Sequence, residues 1–386
     1  MVVFRLDRRI HQGSYFEVWR CIDSNGAPRA VKMLACDLHK DDDSEYRRML
    51  KCEADFLRSV AHENIISFQG FSADCTRKTG QATSNTPALV LELGCLDVMQ
   101  LLQATLFEED MAQFVIRGLL EAVKHLHGMQ VAHLDLKPEQ LVFSKSKSTI
   151  VIKLVDFGTL TDRTTFTTPV GTAGYIAPEI LALSGEEVKI DRFAADMWSV
   201  GITLFVILCG FPPFNSPDSK DPLFRVFCDD RFKFWGFVRS RGVNLTAEAM
   251  DLIDRMTVLS PENRCTAEEA MEHPWMKKRL KIAKVEAELA RRITRLESSL
   301  YLKPDRNSIL SFNSNLGKRR SVLRSPLRTR YKKNLPSSAF SSAASCRSER
   351  ALKVRRAYAT RASGLCRLQS GLLSFSTPDS VRGMKM

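Results

Sequence analysis

The sequence predicts an α+β fold, in which a small sheet-rich part precedes a larger helical part and a disordered basic tail ends the chain. Short runs rich in β-branched and aromatic residues, separated by turn residues, fill the beginning. From residue 97 onward, apolar residues recur mostly at helical spacing. Beyond residue 300 the chain is rich in Ser and Arg with little periodicity, which is typical of disorder. Strands that precede the helices, rather than alternate with them, favour the α+β class.

The sheet-rich part begins with three predicted strands. They are separated by Gly13 and by an Asn-Gly pair, and they read VVFRLDRRI, SYFEVWRCI and RAVKML. A helix is predicted over residues 45–60, because its apolar residues recur every three or four positions. Two apolar segments follow, around residues 65–71 and 88–93. The polar stretch between them, CTRKTGQATSNTP, predicts a loop.

The helical part is interrupted by two short strand-like runs, LVF and IVIKLV, on either side of SKSKST. Its longest apolar run covers residues 200–211, which is shorter than the about 20 residues that cross a bilayer. A helix buried in a core is therefore expected there, and no membrane association is expected. A charged helix is predicted over residues 276–300, and its apolar stripe consists of Leu289, Ile293, Leu296 and Leu300.

Charge and cysteine usage limit the class of protein. The formal net charge is +13, but the residues from Tyr301 onward hold 19 Lys and Arg against three acids. The tail therefore carries +16 and residues 1–300 carry −3, so the charge gives no reason to expect nucleic-acid binding by the folded part. The ten cysteines include no Cys-x-x-Cys pair. Reduced thiols and a cytoplasmic location, or a nuclear one directed by the basic tail, are expected.

The strongest chemical signal is the run His-Leu-Asp-Leu-Lys-Pro-Glu-Gln at residues 133–140, followed by Val-Asp-Phe-Gly around Asp156. Asp135, Lys137 and Gln140 could face one site from an extended loop. Phosphoryl transfer needs an acceptor for the hydroxyl proton, a cation on the transferred phosphate and oxygen ligands for a divalent metal. The two runs together therefore predict a phosphoryl-transfer site.

On these motifs the chain resembles the eukaryotic protein kinases over residues 4–275, and specifically the serine/threonine type. The resemblance implies a bilobal fold, with a small sheet-rich N-lobe and a larger helical C-lobe, and ATP-dependent phosphorylation of Ser and Thr in protein substrates. It implies that Asp135 positions and deprotonates the substrate hydroxyl and that Lys137 steadies the transferred phosphoryl group. Asp156 and Gln140 would bind Mg²⁺, or Mn²⁺ in its place, next to the ATP phosphates.

The resemblance extends to the nucleotide. Lys32, in the run Ala-Val-Lys, matches the lysine that holds the α- and β-phosphates, and Glu53 on the next predicted helix matches its ion-pair partner. Backbone groups of Glu92 and Leu93 would meet adenine. The remaining implied nucleotide contacts come from Gly13, Val18 and Ala30.

Three more residues are implied to be structural rather than catalytic. Glu179 should form a buried ion pair with Arg264, and Asp196 should brace the backbone of the catalytic loop. The resemblance also implies four segments along the chain. They are an N-lobe (1–93), a C-lobe (94–276), a charged helix for which a regulatory role is one alternative (277–300) and a disordered Ser/Arg-rich tail (301–386).

Several positions depart from the family pattern. The glycine-rich loop keeps only Gly13, because His11 and Phe16 stand where the family has glycine, and a Cβ there hinders close approach of the backbone to phosphates. Gln140 replaces an asparagine and adds a methylene to a metal ligand. Leu134 replaces an arginine that usually binds a phosphate on the activation loop. These departures leave open a pseudokinase, a scaffold that transfers little or no phosphate.

Other features resemble the calcium/calmodulin-dependent group, which includes the myosin light chain and death-associated kinases. The run His-Leu-Asp-Leu-Lys-Pro-Glu carries this likeness. Glu139 matches a residue that meets an upstream arginine of the substrate in basophilic kinases, which implies basic substrates. The basic helix over residues 276–300 lies where this group often places an autoinhibitory, calmodulin-binding helix. A plain helix packed on the larger lobe is the alternative.

Overall fold

The computed structural model describes residues 5–23, 25–35, 43–79, 82–146 and 149–301. These residues form two compact units. The first unit contains the described residues up to 61 together with 67–91, and the second contains 62–66 and 92–301. The predicted disordered tail, apart from Tyr301, lies outside the described residues.

The first unit is built on a five-stranded sheet. Its strands are β1 (Arg5–Gln12), β2 (Phe16–Ile22), β3 (Pro28–Leu34), β4 (Phe68–Thr79) and β5 (Ala82–Glu92). Their order is β1-β2-β3-β5-β4, and β1 with β2, β2 with β3, and β4 with β5 pair antiparallel. An apolar cluster stabilises the sheet, and it consists of Cys21, Val31, Met33, Ala88 and Val90.

The polar stretch after Cys75 is strand rather than the predicted loop. Cys75 pairs with Thr86 and Thr79 pairs with Ala82, so β4 and β5 form one long hairpin. Backbone pairing needs no apolar side chain, and the β-branched threonines of this stretch favour extended structure. The prediction was wrong because it took polarity alone as the sign of a loop.

One helix, α1 (Asp43–Ser59), accompanies the sheet in the described part of the first unit, and it confirms the helix predicted over residues 45–60. The helix buries one charged residue, Glu53, together with its apolar face. The apolar residues of the buried face recur every three or four positions, as an amphipathic helix requires. They are Tyr46, Leu50, Ala54 and Leu57.

The second unit is mainly helical, which confirms the α+β class. Its helices are α2 (Val98–Ala104), α3 (Glu109–Gly128), α4 (Pro178–Leu181), α5 (Arg192–Cys209), α6 (Pro222–Asp229), α7 (Arg231–Ser240), α8 (Ala247–Met256), α9 (Ala267–Glu272), α10 (Pro274–Lys277) and α11 (Ile282–Tyr301). Two antiparallel pairs accompany them, β6 (Leu141–Ser146) with β7 (Thr149–Leu154), and β8 (Thr165–Phe166) with β9 (Val188–Lys189).

The core of the second unit is organised around α5. The Asp191 side chain caps the start of α5 by accepting hydrogen bonds from the N–H groups of Phe193 and Ala194. Gly210, with a φ of 75°, ends the helix in the left-handed conformation that glycine adopts readily. Within the described part of the chain, α5 has the length and composition of a membrane-crossing helix, but 94% of it is buried inside the protein. It is therefore the buried core helix predicted around residues 200–211.

The cysteines of the described residues are mostly free thiols. Burial raises the pKa of Cys21 and of Cys265 to about 11, so both thiols are protonated and poorly reactive at neutral pH. Cys52 on α1 is disulfide-bonded, which departs from the expectation of reduced thiols. The free thiols are Cys21, Cys75, Cys95, Cys209, Cys228 and Cys265.

The final helix, α11, confirms the helix predicted over residues 276–300 and packs on the second unit. Val285, Leu289 and Ile293 on its apolar stripe are buried. The Arg292 guanidinium donates a hydrogen bond to the Leu106 carbonyl, with an N···O distance of 3.0 Å. The helix therefore packs on the second unit through these residues, and an autoinhibitory helix and a plain one can both pack in this way.

Candidate active site

Lys32 and Glu53 form a buried ion pair in the first unit. Lys32 lies on β3 and Glu53 on α1, and Lys32 Nζ is 2.7 Å from Glu53 Oε2. The two side chains are only 8% and 2% exposed. Because desolvating a single charge costs several kcal/mol, each of these groups depends on the other. The pair therefore holds α1 to the sheet and fixes the position of a cation that suits a phosphate oxygen.

The predicted nucleotide residues of the sheet share one face. Val18 lies directly opposite Lys32 in the pairing of β2 with β3, and Ala30 precedes Lys32 by two residues on β3. Side chains that are opposite on paired strands, or two residues apart on one strand, point to the same side of a sheet. The small, buried Ala30 leaves space beside the lysine.

The turn between β1 and β2 is tight and is held by aromatic packing. The Gly13 N–H donates a hydrogen bond of 2.8 Å to the Phe16 carbonyl, and a Cβ on Gly13 would lie 3.1 Å from that oxygen. The Phe16 ring centre lies 5.1 Å from Lys32 Nζ. Tyr46 stacks on Tyr15 at 4.5 Å and meets Phe16 edge-on at 6.1 Å. Aromatic contacts with α1 thus hold the loop that has lost two of the family's glycines.

Glu92 and Leu93 begin the second unit after the sheet. The Glu92 carboxylate accepts a hydrogen bond of 3.0 Å from the Ser144 hydroxyl and lies 3.1 Å from Lys153 Nζ. The β6–β7 hairpin, which carries Ser144 and Lys153, therefore holds this side chain. A nucleotide-binding role of Glu92 would then fall to its backbone groups, as the resemblance implied.

Asp135, Lys137 and Thr172 form one hydrogen-bonded group in the second unit. Lys137 Nζ lies 2.6 Å from Asp135 Oδ2 and donates to Thr172 Oγ1 at 2.6 Å. The Thr172 hydroxyl in turn donates to Asp135 Oδ1 at 2.5 Å. The arrangement places a carboxylate that can accept a proton beside an ammonium that can bind a phosphate oxygen.

Asp196 on α5 braces the backbone of this loop, as predicted. Its fully buried carboxylate accepts hydrogen bonds from the N–H groups of His133 at 2.8 Å and Leu134 at 2.7 Å. His127 Nε2 lies 3.0 Å from the same carboxylate. Leu134 has a φ of 62°, and a left-handed conformation costs a non-glycine residue roughly 1–3 kcal/mol. The bonds from Asp196 offset this strain and fix the loop that carries Asp135.

His133 is a neutral part of the same loop. Burial lowers the pKa of its imidazole below the ordinary value, although the Asp196 carboxylate acts in the opposite direction. Its Nδ1 accepts the Asp135 N–H at 3.3 Å, and its Nε2 has no hydrogen-bond partner among the described residues. An uncharged imidazole leaves Asp135 and Lys137 as the charged side chains of residues 133–137.

Gln140 and Asp156, the two predicted metal ligands, lie side by side. Gln140 Nε2 donates to Asp156 Oδ2 at 3.1 Å, and Asp156 is held in the left-handed conformation with a φ of 65°. In the part of the chain that the structure describes, no group of three or more His, Cys, Asp or Glu could hold a metal alone. Mg²⁺ commonly takes one or two protein oxygens and completes its shell with phosphate oxygens and water. Carboxylate and amide oxygens at this position therefore fit a divalent metal shared with a nucleotide.

Glu179 and Arg264 confirm the predicted buried ion pair. The guanidinium meets both carboxylate oxygens, at 2.8 and 3.2 Å, and the Arg264 side chain is completely buried. It also donates to the carbonyls of Ala194 and Val258, at 2.6 and 3.0 Å. Arg264 therefore ties the segment that begins α4 to α5 and to the end of α8.

Three residues near the site had no role assigned from the sequence, namely Thr172, Tyr46 and Lys153. Thr172 had a usable signal, because it lies in the run Gly-Thr-Ala-Gly that resembles the end of a kinase activation segment. Tyr46 had no such signal, because in the sequence it looks like any other apolar residue of an amphipathic helix. Lys153 had none either, because its partner Glu92 is distant in sequence and a lysine in a strand is usually a solvated charge.

Comparison with known proteins identifies the domain. A sequence model of the protein kinase domain matches residues 4–276. The chain is 30% identical over 258 residues to myosin light chain kinase A of Dictyostelium discoideum, a match that covers 64% of this chain and 79% of that relative.

Two longer relatives are also serine/threonine-protein kinases. The chain is 37% identical over 185 residues to DCLK3 of Homo sapiens, which covers 46% of this chain and 26% of the relative. It is 31% identical over 286 residues to DCLK2 of Rattus norvegicus, which covers 71% of this chain and 34% of the relative. The chain thus spans about a third or less of the length of these two proteins.

Proposed function

We propose that this chain, which belongs to the protein kinase family and is an ATP-dependent protein serine/threonine kinase, phosphorylates proteins with basic residues upstream of the acceptor, using Mg²⁺. The observation that carries the catalytic assignment is the hydrogen-bonded group of Asp135, Lys137 and Thr172. The family match and the kinase relatives give no support to the pseudokinase alternative.

In the proposed mechanism, Asp135 orients the substrate hydroxyl and accepts its proton as the hydroxyl oxygen bonds to phosphorus. Bound ATP supplies the γ-phosphoryl group, and ADP leaves as the bond to the β-phosphate oxygen breaks. Lys137 stabilises the charge on the transferred group. Thr172 holds the Asp135 carboxylate and the Lys137 ammonium in place, because its hydroxyl bonds to both. Asp156 and Gln140 supply the protein oxygens for the metal.

The proposed nucleotide contacts come from two places in the chain. Lys32, fixed by Glu53, binds phosphate oxygens, and the backbone of Glu92 and Leu93 binds adenine. Gly13 permits a tight loop near the phosphates, since a side chain there would crowd the Phe16 carbonyl. The apolar residues that share the Lys32 face of the sheet contact the nucleotide, namely Val18 and Ala30.

Gln140 is proposed to make the metal site less suited to Mg²⁺ than an asparagine at the same position would make it. Mg²⁺ demands near-ideal octahedral geometry, and the longer amide contacts Asp156 directly. We expect Gln140→Asn to raise kcat/KM with Mg²⁺ by roughly 10-fold, because misplacement on the ångström scale costs up to about 100-fold. The ratio of Mg²⁺- to Mn²⁺-supported peptide phosphorylation measures this. An unchanged ratio would mean that Gln140 is not a metal ligand.

Glu139 is proposed to select basic substrates. Its Oε2 is buried and has no hydrogen-bond partner among the described residues, and a substrate arginine would supply the donor that this oxygen lacks. A hydrogen bond to a charged group contributes about 1.5–3 kcal/mol, so Glu139→Gln should lower kcat/KM for a peptide with an upstream arginine by at least about 10-fold. The same peptide with alanine in place of that arginine should react equally with both enzymes.

A matched control for this test is Glu186→Gln, because Glu186 is an exposed carboxylate elsewhere on the second unit. It should leave the preference for the arginine peptide intact. If Glu139→Gln and Glu186→Gln behave alike, or if wild type is indifferent to upstream arginine on a peptide array, the proposed specificity is wrong.

An acidic partner such as calmodulin is proposed for residues 276–300. The support is a run of exposed cations, Lys278, Arg279, Lys281 and Lys284. The covered stripe of α11 means that calmodulin would first have to displace the helix. A rate that changes with calcium and calmodulin would support calmodulin as the partner. An unchanged rate would remove it.

A cytoplasmic or nuclear location is also proposed. Its support is the basic run Lys-Arg-Arg at 318–320, which lies outside the described residues. Microscopy of the tagged full chain, with and without alanine at these three positions, tests whether the run directs nuclear entry. Nucleic-acid binding is not expected, and salt-dependent RNA or DNA binding that is lost on removing residues 301–386 would contradict this.

A further inference from the structure

The β6–β7 hairpin holds both segments through which the chain enters the second unit. The first is 62–66, which extends the hairpin along β7: Leu154 N–H donates to the Asn64 carbonyl at 2.8 Å, and Ile66 N–H donates to the Leu154 carbonyl at 3.0 Å. These backbone bonds form one isolated parallel β-bridge between Ile65 and Leu154, which ties 62–66 to the hairpin.

The second segment is 92–96, which follows β5 and carries the proposed adenine-binding residues. It lies along β6, because the Cys95 N–H donates to the Phe143 carbonyl at 2.7 Å and the Phe143 N–H donates to the Leu96 carbonyl at 2.9 Å. A Cβ on Gly94 would lie 2.8 Å from a methyl carbon of Val142, so any larger residue at position 94 would force Val142 to shift.

Lys153 on β7 lies where the two segments meet. Its Nζ is 3.1 Å from the Glu92 carboxylate in the second segment and 3.5 Å from the Ile65 carbonyl in the first. The Lys153 and Glu92 side chains are 12% and 18% exposed, so the pair is screened less than a surface ion pair. Ser144 on β6 donates to the other Glu92 oxygen. The Glu92 side chain is therefore fixed from both strands of the hairpin.

The helix α11 clamps the same hairpin. Lys145 Nζ lies 3.1 Å from Glu297 and 3.3 Å from the Thr294 hydroxyl, and the Ile150 N–H donates to Glu286 Oε1 at 3.1 Å. These contacts lie at the outer half of the hairpin, and the buried stripe of α11 backs them. The helix follows residue 276, where the match to the kinase domain ends.

We propose that Lys153 is a positioning residue for nucleotide binding, and that α11 braces the hairpin through which Lys153 acts. This rests on the proposed role of Glu92 and Leu93 as the adenine-binding backbone. Lys153 does not touch the nucleotide. It fixes the Glu92 side chain, and through it the direction of the neighbouring backbone groups. Binding of the nucleotide base requires those groups to be oriented in advance, because ordering them on binding lowers affinity.

The first test replaces Lys153 by Met in the full chain, which keeps the length of the side chain and removes its charge. The affinity for a fluorescent ADP analogue with Mg²⁺ is expected to fall about 10-fold, on the scale of the losses that follow small misplacements. KM for ATP should rise by a similar factor, and kcat should change little. Lys153→Arg should restore most of the affinity. Lys220→Met, at an exposed site, is the matched control.

The second test loosens α11 with Leu289→Ala and Ile293→Ala together, and compares it with Ile282→Ala, whose side chain is 55% exposed on the same helix. The buried pair of substitutions should weaken nucleotide binding, and the exposed one should not. When Leu289→Ala and Ile293→Ala are combined with Lys153→Met, they should lower nucleotide affinity by a smaller factor than they do in the otherwise wild-type protein. The reason is that all of these changes act through one hairpin.

The outcomes separate this proposal from the assignment of the active site. Unchanged nucleotide affinity in Lys153→Met, from a protein whose wild type binds the analogue, overturns the positioning role and leaves the kinase assignment intact. A loss that Lys153→Arg does not restore, with kcat falling as much as affinity, would indicate general damage and would also overturn it. If the losses of affinity from Lys153→Met and from the α11 substitutions are fully additive, the proposed role of α11 as a brace of the hairpin is wrong.

Discussion

Replacing Asp135 by Asn is expected to lower kcat for peptide phosphorylation by roughly 10²–10⁴-fold, the usual contribution of a general base. Asn has nearly the same shape, and its single amide oxygen can keep one of the two hydrogen bonds from Lys137 and Thr172, which now reach separate carboxylate oxygens at 2.6 and 2.5 Å. It cannot accept the substrate proton. The loop geometry should survive, because Asp196 rather than Asp135 holds the backbone.

The control for this result is nucleotide binding. The Asp135→Asn protein should melt at nearly the wild-type temperature and bind the fluorescent ADP analogue with nearly wild-type affinity. The loss should therefore appear in the chemical step, which single-turnover phosphate transfer measures directly. A variant that keeps its full rate would show that another group accepts the proton.

Replacing Arg264 by Leu is expected to destabilise the protein by about 3–5 kcal/mol, because it leaves the Glu179 carboxylate without its partner. The same change deprives the carbonyls of Ala194 and Val258 of their donor. At about 2–4 °C per kcal/mol for a domain of this size, the melting temperature should fall on the order of 10 °C. Differential scanning fluorimetry of the full chain measures the shift.

The comparison for this prediction is Arg291→Met. Arg291 pairs with Glu288 on α11, but its side chain is 62% exposed, and exposed ion pairs contribute little to stability because water screens them. Its melting temperature should therefore stay close to that of wild type. If the two substitutions have equal effects, burial does not decide the contribution of these ion pairs, and the structural role of Arg264 is wrong.

The parts of the site that sequence could predict are those in which a short run of residues determines the chemistry. Asp135 and Lys137 lie two residues apart on one loop, so local spacing brings them together whatever the rest of the fold does. Lys32 with Glu53, and Glu179 with Arg264, are distant pairs. They could be named only through the resemblance to kinases, since no local pattern reveals a partner far along the chain.

The parts that could not be predicted depend on tertiary contacts particular to this chain. The Tyr46 contacts with Tyr15 and Phe16 arise only when α1 lies against the β1–β2 turn. They show how a loop with one remaining glycine is held. The pairing of Lys153 with Glu92 likewise requires the hairpin and the segment after β5 to meet.

The helix α11 shows a different limit of prediction from sequence, because one apolar pattern fits two roles. Its apolar spacing predicted a helix correctly, but the same spacing suits a helix that binds calmodulin and one that packs on its own domain. The burial of Leu289 and Ile293 shows that the stripe packs on the second unit, and calmodulin binding stays a proposal. Exposed cations on a helix do not show which surface its apolar stripe contacts.

The most direct test of the central claim is phosphate transfer from ATP–Mg²⁺ by the full wild-type chain to a basic peptide, with Ser, Thr or Tyr as its one acceptor. Mass spectrometry of the products should find phosphate on the Ser and Thr peptides and none on the Tyr peptide, and Asp135→Asn should lower the signal by roughly 10²–10⁴-fold. A folded protein that binds the ADP analogue but transfers no phosphate to any peptide, with Mg²⁺ or with Mn²⁺, would contradict the account.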